Sequence, residues 1–153
     1  MPRWAGPIAI VIAHAVALWA WHLPALYDAA IENSLLHALE HLLFLATAMA
    51  FWAFVLGRSG HLDRLQRVGL VFVTALQSSA LGALIAFASE PLYRAHLVNT
   101  SGLTALEDQQ LAGAIMWVPP GVVYLCVMLV LLYGWFAQLE RADRASKVGV
   151  EQR

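Results

Sequence analysis

The sequence is short of charge. Only 12% of its 153 residues are Asp, Glu, Lys or Arg, about half the share usual in a soluble domain. The net charge of −1 leaves no broad field that would gather a nucleic acid, and none is expected as a partner. Cysteine is almost missing. Cys126 stands alone in VVYLCVMLV, so no disulfide can close within the chain, and the residue reads as a small apolar side chain facing lipid or core. Internal repeats and low-complexity tracts are absent, which removes solenoids and arrays.

What the chain has in quantity is apolar surface. Hydrophobic residues make up 61% of it and the mean hydropathy is +0.68, more than a soluble domain of this size could hide. The expected fold class is an all-α integral membrane protein: one domain, 1–153, forming a four-transmembrane-helix bundle. The apolar stretches lie at about 4–23, 34–56, 65–88 and 104–138. A crossing needs about 20 residues to span about 30 Å of hydrocarbon. The first three stretches match that length, and the fourth is long enough to tilt, kink or project into water. The charged tail, 139–153, is expected to fray beyond the membrane.

Local punctuation agrees with these bounds. Pro24 ends the first stretch and Asn33–Ser34 caps the second. GRSGH (57–61) is a loop, and Ser89–Glu90–Pro91 closes the third stretch. Thr104 and Glu107 form a T-x-x-E capping box at the start of the fourth, where Glu107 and Asp108 also suit the helix dipole. MPR followed by an apolar run resembles a signal peptide, but the run continues to WAWHLP, with only AHA (13–15) as a cleavage signal. The segment is expected to be retained.

Basic residues set the orientation. With both termini cytoplasmic, Arg3, Arg58, Arg64, Arg67, Arg141, Arg144, Lys147 and Arg153 all lie inside, which is eight of the nine, and only Arg94 lies outside. The expected location is the bacterial inner (plasma) membrane, multi-pass, with membrane lipid as the surrounding partner.

That topology gathers unusual groups at the outer face. His22 ends the first stretch, while His37, Glu40 and His41 begin the second. His96 lies in the second outer loop, and Glu107, Asp108, Gln109 and Gln110 open the fourth stretch. His14 lies two turns below His22, about 12 Å deeper at about 1.5 Å per residue, with Met116 at similar depth. Only His61 falls on the inner side. Histidines four apart on a helix are about 40° apart around its axis. His37 and His41 can therefore bind one metal ion, with Glu40 as a ligand or as the acceptor that orients an imidazole. Ionisable groups inside a membrane are costly and point to function. The plain alternative is that they hydrogen-bond to neighbouring helices near the interface. HALEH also matches H-x-x-E-H, the inverted zinc-peptidase signature, in which the glutamate is the general base.

Two other stretches carry structural signals. MWVPPGVVY (116–124) puts Pro119 and Pro120 inside a span, leaving the Ile115 and Met116 carbonyls without helical donors; it reads equally as a packing kink or as the wall of a wet cavity. Thr74, Gln77 and Ser78 share one face with Gly82 near it, as helix–helix packing glue. Trp4, Trp19, Trp21, Trp52, Trp117 and Trp135 mostly lie near span ends as expected interface anchors.

Three motifs in order then carry a resemblance: W-H-x-P-x-x-Y from Trp21, H-x-x-E-H from His37, and D-Q-Q-x-A-G-x-x-M-W from Asp108. With EPLYRAH (90–96), they resemble the CtaG-type cytochrome c oxidase assembly factors associated with caa-type haem–copper oxidases. The resemblance covers about three of the four stretches. His22, His37, Glu40, His41, Asp108, Gln109, Gln110, Gly113, Met116 and Trp117 match family motif positions. Members are usually longer, with further spans ahead of the W-H-x-P segment, so this chain resembles the C-terminal core, and a second chain or a homo-oligomer could supply helices.

The resemblance implies a non-enzymatic membrane factor that helps to assemble a haem–copper oxidase, with an oxidase subunit as partner and copper as the handled metal. Imidazole and thioether donors suit copper. His37 and His41 are the expected ligands, with Glu40 or His22 as third partner. His14 and Met116 form a deeper relay, and Asp108, Gln109 and Gln110 cap the site or dock the partner. The alternatives are a haem-binding electron carrier that pairs His14 with His37 or His41, an intramembrane zinc peptidase, and a purely structural oxidase partner.

Overall fold

The computed structural model describes residues 5–57, 62–94 and 102–151, with side chains through 147. Expectations that rest on Arg3, Trp4, Arg58, His61, His96 and Arg153 lie outside the described residues. Five helices follow in order: α1 (Ala5–Trp21), α2 (Pro24–Glu32), α3 (Ser34–Leu56), α4 (Arg64–Ala86) and α5 (Ala105–Glu151). The described residues include no strand. In hydrocarbon, helices satisfy every backbone group internally, which is why such apolar stretches settle as helices.

α3, α4 and α5 are each long and apolar enough to cross a membrane. A fourth crossing is counted if α1 and α2, bent by 74° at their junction, form one broken span. The break is written in Leu23–Pro24. Leu23 is extended (φ −66°, ψ 133°), and Pro24 opens α2, where its missing N–H would have had no helical partner anyway. The first span is therefore a 17-residue helix plus a turned-out segment, shorter than 4–23.

The caps hold. Asn33 Oδ1 accepts from the Leu35 and Leu36 amides at 2.9 and 3.3 Å. The Thr104 amide donates to Glu107 Oε2 at 2.8 Å, and the Glu107 amide donates to Thr104 Oγ1 at 3.3 Å. A second capping box, unread in the sequence, starts α4. There the Gln66 amide donates to Asp63 Oδ1 at 2.7 Å, and the Asp63 amide donates to Gln66 Oε1 at 3.1 Å. Each such cap is worth about 1 kcal/mol.

α5 departs from expectation at its far end. The helix runs on through Pro119 and Pro120 and beyond residue 138 to Glu151, so the described part of the charged tail is helical rather than frayed. Its turns are tied by Glu140–Arg144 (3.5 Å) and Asp143–Lys147 (2.7 Å), acidic before basic at i, i+4, the better orientation for such pairs.

The largest helix–helix interface joins α4 to α5, followed by α1 with α3. Glycine sets the first. A Cβ on Gly113 would come 2.6 Å from the Ala86 amide nitrogen, and one on Gly82 would come 2.7 Å from Trp117 Cβ. Only Gly lets these backbones approach, the small-residue packing of membrane helices. α3 meets α5 through rings instead, Phe51 and Trp52 against Tyr124. Val11, Phe51, Val55, Val71 and Tyr124 form one buried cluster, and Leu81, Ile85 and Tyr93 form another. Leucines, isoleucines and valines elsewhere, Ile12, Leu42, Leu76 and Val130 among them, stay exposed, as suits lipid-facing surfaces. Cys126 is exposed too. The tryptophans are less often anchors than expected: Trp21 is buried, Trp52 stacks on Tyr124 and Trp117 packs on Gly82.

Candidate functional site

The polar groups collect where α1 ends, α3 begins, α4 ends and α5 begins. On the first two turns of α3, His37 and His41 turn to each other, Nε2 to Nε2 at 3.1 Å, with their rings edge to face. Two imidazole nitrogens at that distance need a proton or a cation between their lone pairs. The separation lets both reach one ion at the about 2 Å of a metal–imidazole bond. Both residues are exposed, so one side of the pair is open.

Glu40 is placed behind the pair. It is buried, and its Oε2 lies 3.7 Å from His37 Nδ1, the nitrogen that faces away from His41. At that distance the carboxylate is in ion-pair range of the ring but does not hydrogen-bond to it. Glu40 thus lies beside His37, on the side of the ring away from the His41 contact.

His14 and His22 do not join them. Among the described residues, no three His, Cys, Asp or Glu side chains converge as a metal-binding group. His14 is buried on α1, with Nδ1 2.9 Å from Thr47 Oγ1, and its ring stacks near Phe51 at 6.2 Å. Thr47 Oγ1 donates in turn to the Leu43 carbonyl at 2.7 Å, which leaves its lone pairs to accept from the imidazole. His14 thus ties α1 to α3, the interhelical role of a lone membrane histidine. His22 Nδ1 lies 2.7 Å from the Leu18 carbonyl, and its ring lies 6.0 Å from Phe44. Met116 shares a cavity with His22 and not with His14; the other walls are Tyr27, Ile85, Tyr93, Ala112 and Gly113.

Gln109 and Gln110 act on the loop after α4. Gln109 is completely buried; its Oε1 accepts from the Leu92 amide at 2.5 Å and its Nε2 donates to the Glu90 carbonyl at 3.5 Å. Gln110 Nε2 donates to the Ala88 carbonyl at 2.9 Å. Together they hold residues 88–92 against the top of α5, and that loop delivers Tyr93. Tyr93 donates to the His22 carbonyl at 3.0 Å and packs on Tyr27 at 4.1 Å between ring centroids. Burial, then Tyr27 and Asp28, push the Tyr93 phenol up to about 12. Asp108 and Glu40 both act electrostatically on the Tyr27 hydroxyl, which places the acidic groups around this tyrosine pair. The sequence reading missed Tyr27 and Tyr93 as site residues. The only signal for them was the tyrosine of W-H-x-P-x-x-Y and that of EPLYRAH.

The model of the cytochrome c oxidase caa3 assembly factor family (Caa3_CtaG) matches residues 3–138. The chain belongs to that family. The match takes in α1 to α4 and most of α5, and with them every polar group just described. No curated protein and no solved structure matches the chain. The family name ties this CtaG-type protein to the assembly of a cytochrome c oxidase, and its apolar helices make it a membrane protein. In CtaG terms, the H-x-x-E-H motif is the exposed imidazole pair with its carboxylate. The D-Q-Q motif is the clamp on the loop after α4, and the W-H-x-P motif is the break that turns His22 toward α3.

Proposed function

We propose that this CtaG-type factor takes up copper at the His37–His41 pair and passes it toward a haem–copper oxidase subunit from the outer face of a bacterial inner membrane. The observation that carries the reading is the 3.1 Å Nε2–Nε2 approach of two exposed imidazoles, with the buried Glu40 3.7 Å from the far nitrogen of His37. Imidazole donors suit copper. Two ligands with an open side suit a metal that must leave again, because a closed site would hold it. Handling the cargo exchanges metal–ligand bonds and transforms no substrate, so the role proposed is non-catalytic. Haem binding between His14 and α3 is disfavoured by the engagement of His14 with Thr47 and Phe51.

The test is copper content of the purified, reduced protein after exposure to Cu(I), read beside a His37→Ala/His41→Ala variant and Glu40→Gln. The double variant should lose the copper held at this pair. Glu40→Gln should keep the ligands but weaken retention by about 10- to 100-fold, the usual effect of removing an orienting partner. Equal copper in the wild type and the double variant would sink the reading. Glu40→Gln that abolishes peptide cleavage while metal stays bound would move the protein to the zinc-peptidase class.

A further inference from the structure

We infer that the cavity between the end of α1 and the start of α5 is a second metal site, selective for Cu(I), with His22 Nε2 and the Met116 thioether as its donors. The inference deepens the copper-handling reading and rests on it for the identity of the cargo.

His22 is prepared as a ligand by its own surroundings. The Leu18 carbonyl, 2.7 Å from Nδ1, can only accept, so in the neutral ring the proton is on Nδ1 and the lone pair is on Nε2. A hydrogen bond from one imidazole nitrogen to a backbone carbonyl is the usual way a protein fixes the ligating tautomer. Among the described residues, Nε2 makes no hydrogen bond. Phe44 lies on one side of the ring, 6.0 Å between centroids and 24° from parallel. The Tyr93 hydroxyl also holds the residue's own carbonyl at 3.0 Å.

The cavity selects by size and by donor type. Its volume is about 170 Å³, below the 300–1,000 Å³ or so of pockets for organic ligands, so it takes an ion or a few waters and excludes a haem. The walls offer one imidazole, one thioether and two phenols, with no carboxylate among them. Zinc and Cu(II) would lack donors there. Cu(I) accepts few ligands and favours soft sulfur. The position is about one helical turn from the exposed pair, because Phe44, the α3 ring neighbouring His22, follows His41 by three residues. A cargo taken up at the surface would therefore have a shielded holding place beside it.

The experiment is Cu(I) titration and copper X-ray absorption on the full chain in detergent. All proteins carry Cys126→Ala, so that the exposed thiol contributes no sulfur. The decisive protein adds His37→Ala/His41→Ala. It should still bind one Cu(I) per chain with sulfur in the first coordination shell, and a further Met116→Leu should remove both the sulfur signal and that Cu(I). Met116→Leu alone should leave the copper of the surface pair, now with nitrogen-only scattering. Helical circular dichroism and thermal melting confirm that each variant folds. The inference is overturned if the double variant binds no Cu(I), or binds it without sulfur, or if its sulfur signal survives Met116→Leu. Copper at the surface pair is scored separately in the Met116→Leu protein, so loss of that reading alone shows there.

Discussion

At the scale of single residues, spacing carried the local arrangement and missed the distant partners. His37, Glu40 and His41 lie within five residues on one helix, so their mutual approach follows from 3.6 residues per turn and was readable. His14 was legible as a buried histidine, but its partner Thr47 is 33 positions away, and helix rotation decides such a match. Tyr93 meets Tyr27 across 66 positions of sequence for the same reason. That tyrosine also supplies a pH signature. Its phenol, ordinarily near 10, is raised to about 12 by burial first and then by Tyr27 and Asp28. Between those values the unfolded chain gives up this proton while the folded chain keeps it. The contribution is therefore whole below pH 10 and falls as pH climbs toward 12. Denaturation followed at pH 9 and pH 11 should show a loss of stability that is smaller in Tyr93→Phe, and an identical loss in both proteins would refute the assignment.

At the scale of elements, the starts of α3 and α5 were legible because Asn33 and Thr104 each act on neighbours within about one turn, whereas Pro24 reads from the sequence as the end of one stretch and not as the start of α2. Helix ends were less so. The tail of α5 looked like a fraying segment from its charge, yet its acidic and basic residues alternate at the interval that ties one helical turn to the next. The α4–α5 contact was half visible: Gly82 stood out, but its partner surface at Trp117 and the matching Gly113 did not. Gly113→Ala tests this contact. Alanine gains up to about 1 kcal/mol of helix propensity, whereas overpacking costs about 1–3 kcal/mol. The clash at Gly113 is with backbone, 2.6 Å from the Ala86 nitrogen, which no rotamer change relieves, so the upper part of that range applies. A net loss of about 1–2 kcal/mol is expected in denaturant unfolding. Gly121→Ala, with nothing within 4 Å of its added carbon, should be neutral or slightly stabilising. Similar behaviour of the two variants would show that close packing does not hold this interface.

At the scale of the whole molecule, the all-helical membrane class was plain from composition alone, since no other fold tolerates so little charge over such apolar stretches. The number of crossings was less plain, because the 74° turn at Leu23–Pro24 depends on two residues inside an otherwise uniform run. The orientation expected from the sequence puts eight basic residues on one side. Reporter enzymes that work on only one side of the membrane, fused after α3, after α4 and at the C-terminus, should read inside, outside, inside; an outside reading at the C-terminus would overturn the assignment. The unbroken 47 residues of α5 bear on this arrangement as well. At about 1.5 Å per residue the helix is about 70 Å long, about 40 Å more than the hydrocarbon it crosses. Its first turns grip the loop that brings in Tyr93, and a crossing that begins there would leave its last turns beyond the hydrocarbon as a helical post. Anything bound at that far end would be held at a set height from the bilayer rather than on a tether, and its distance from the Tyr93 loop would be measured out by a single helix.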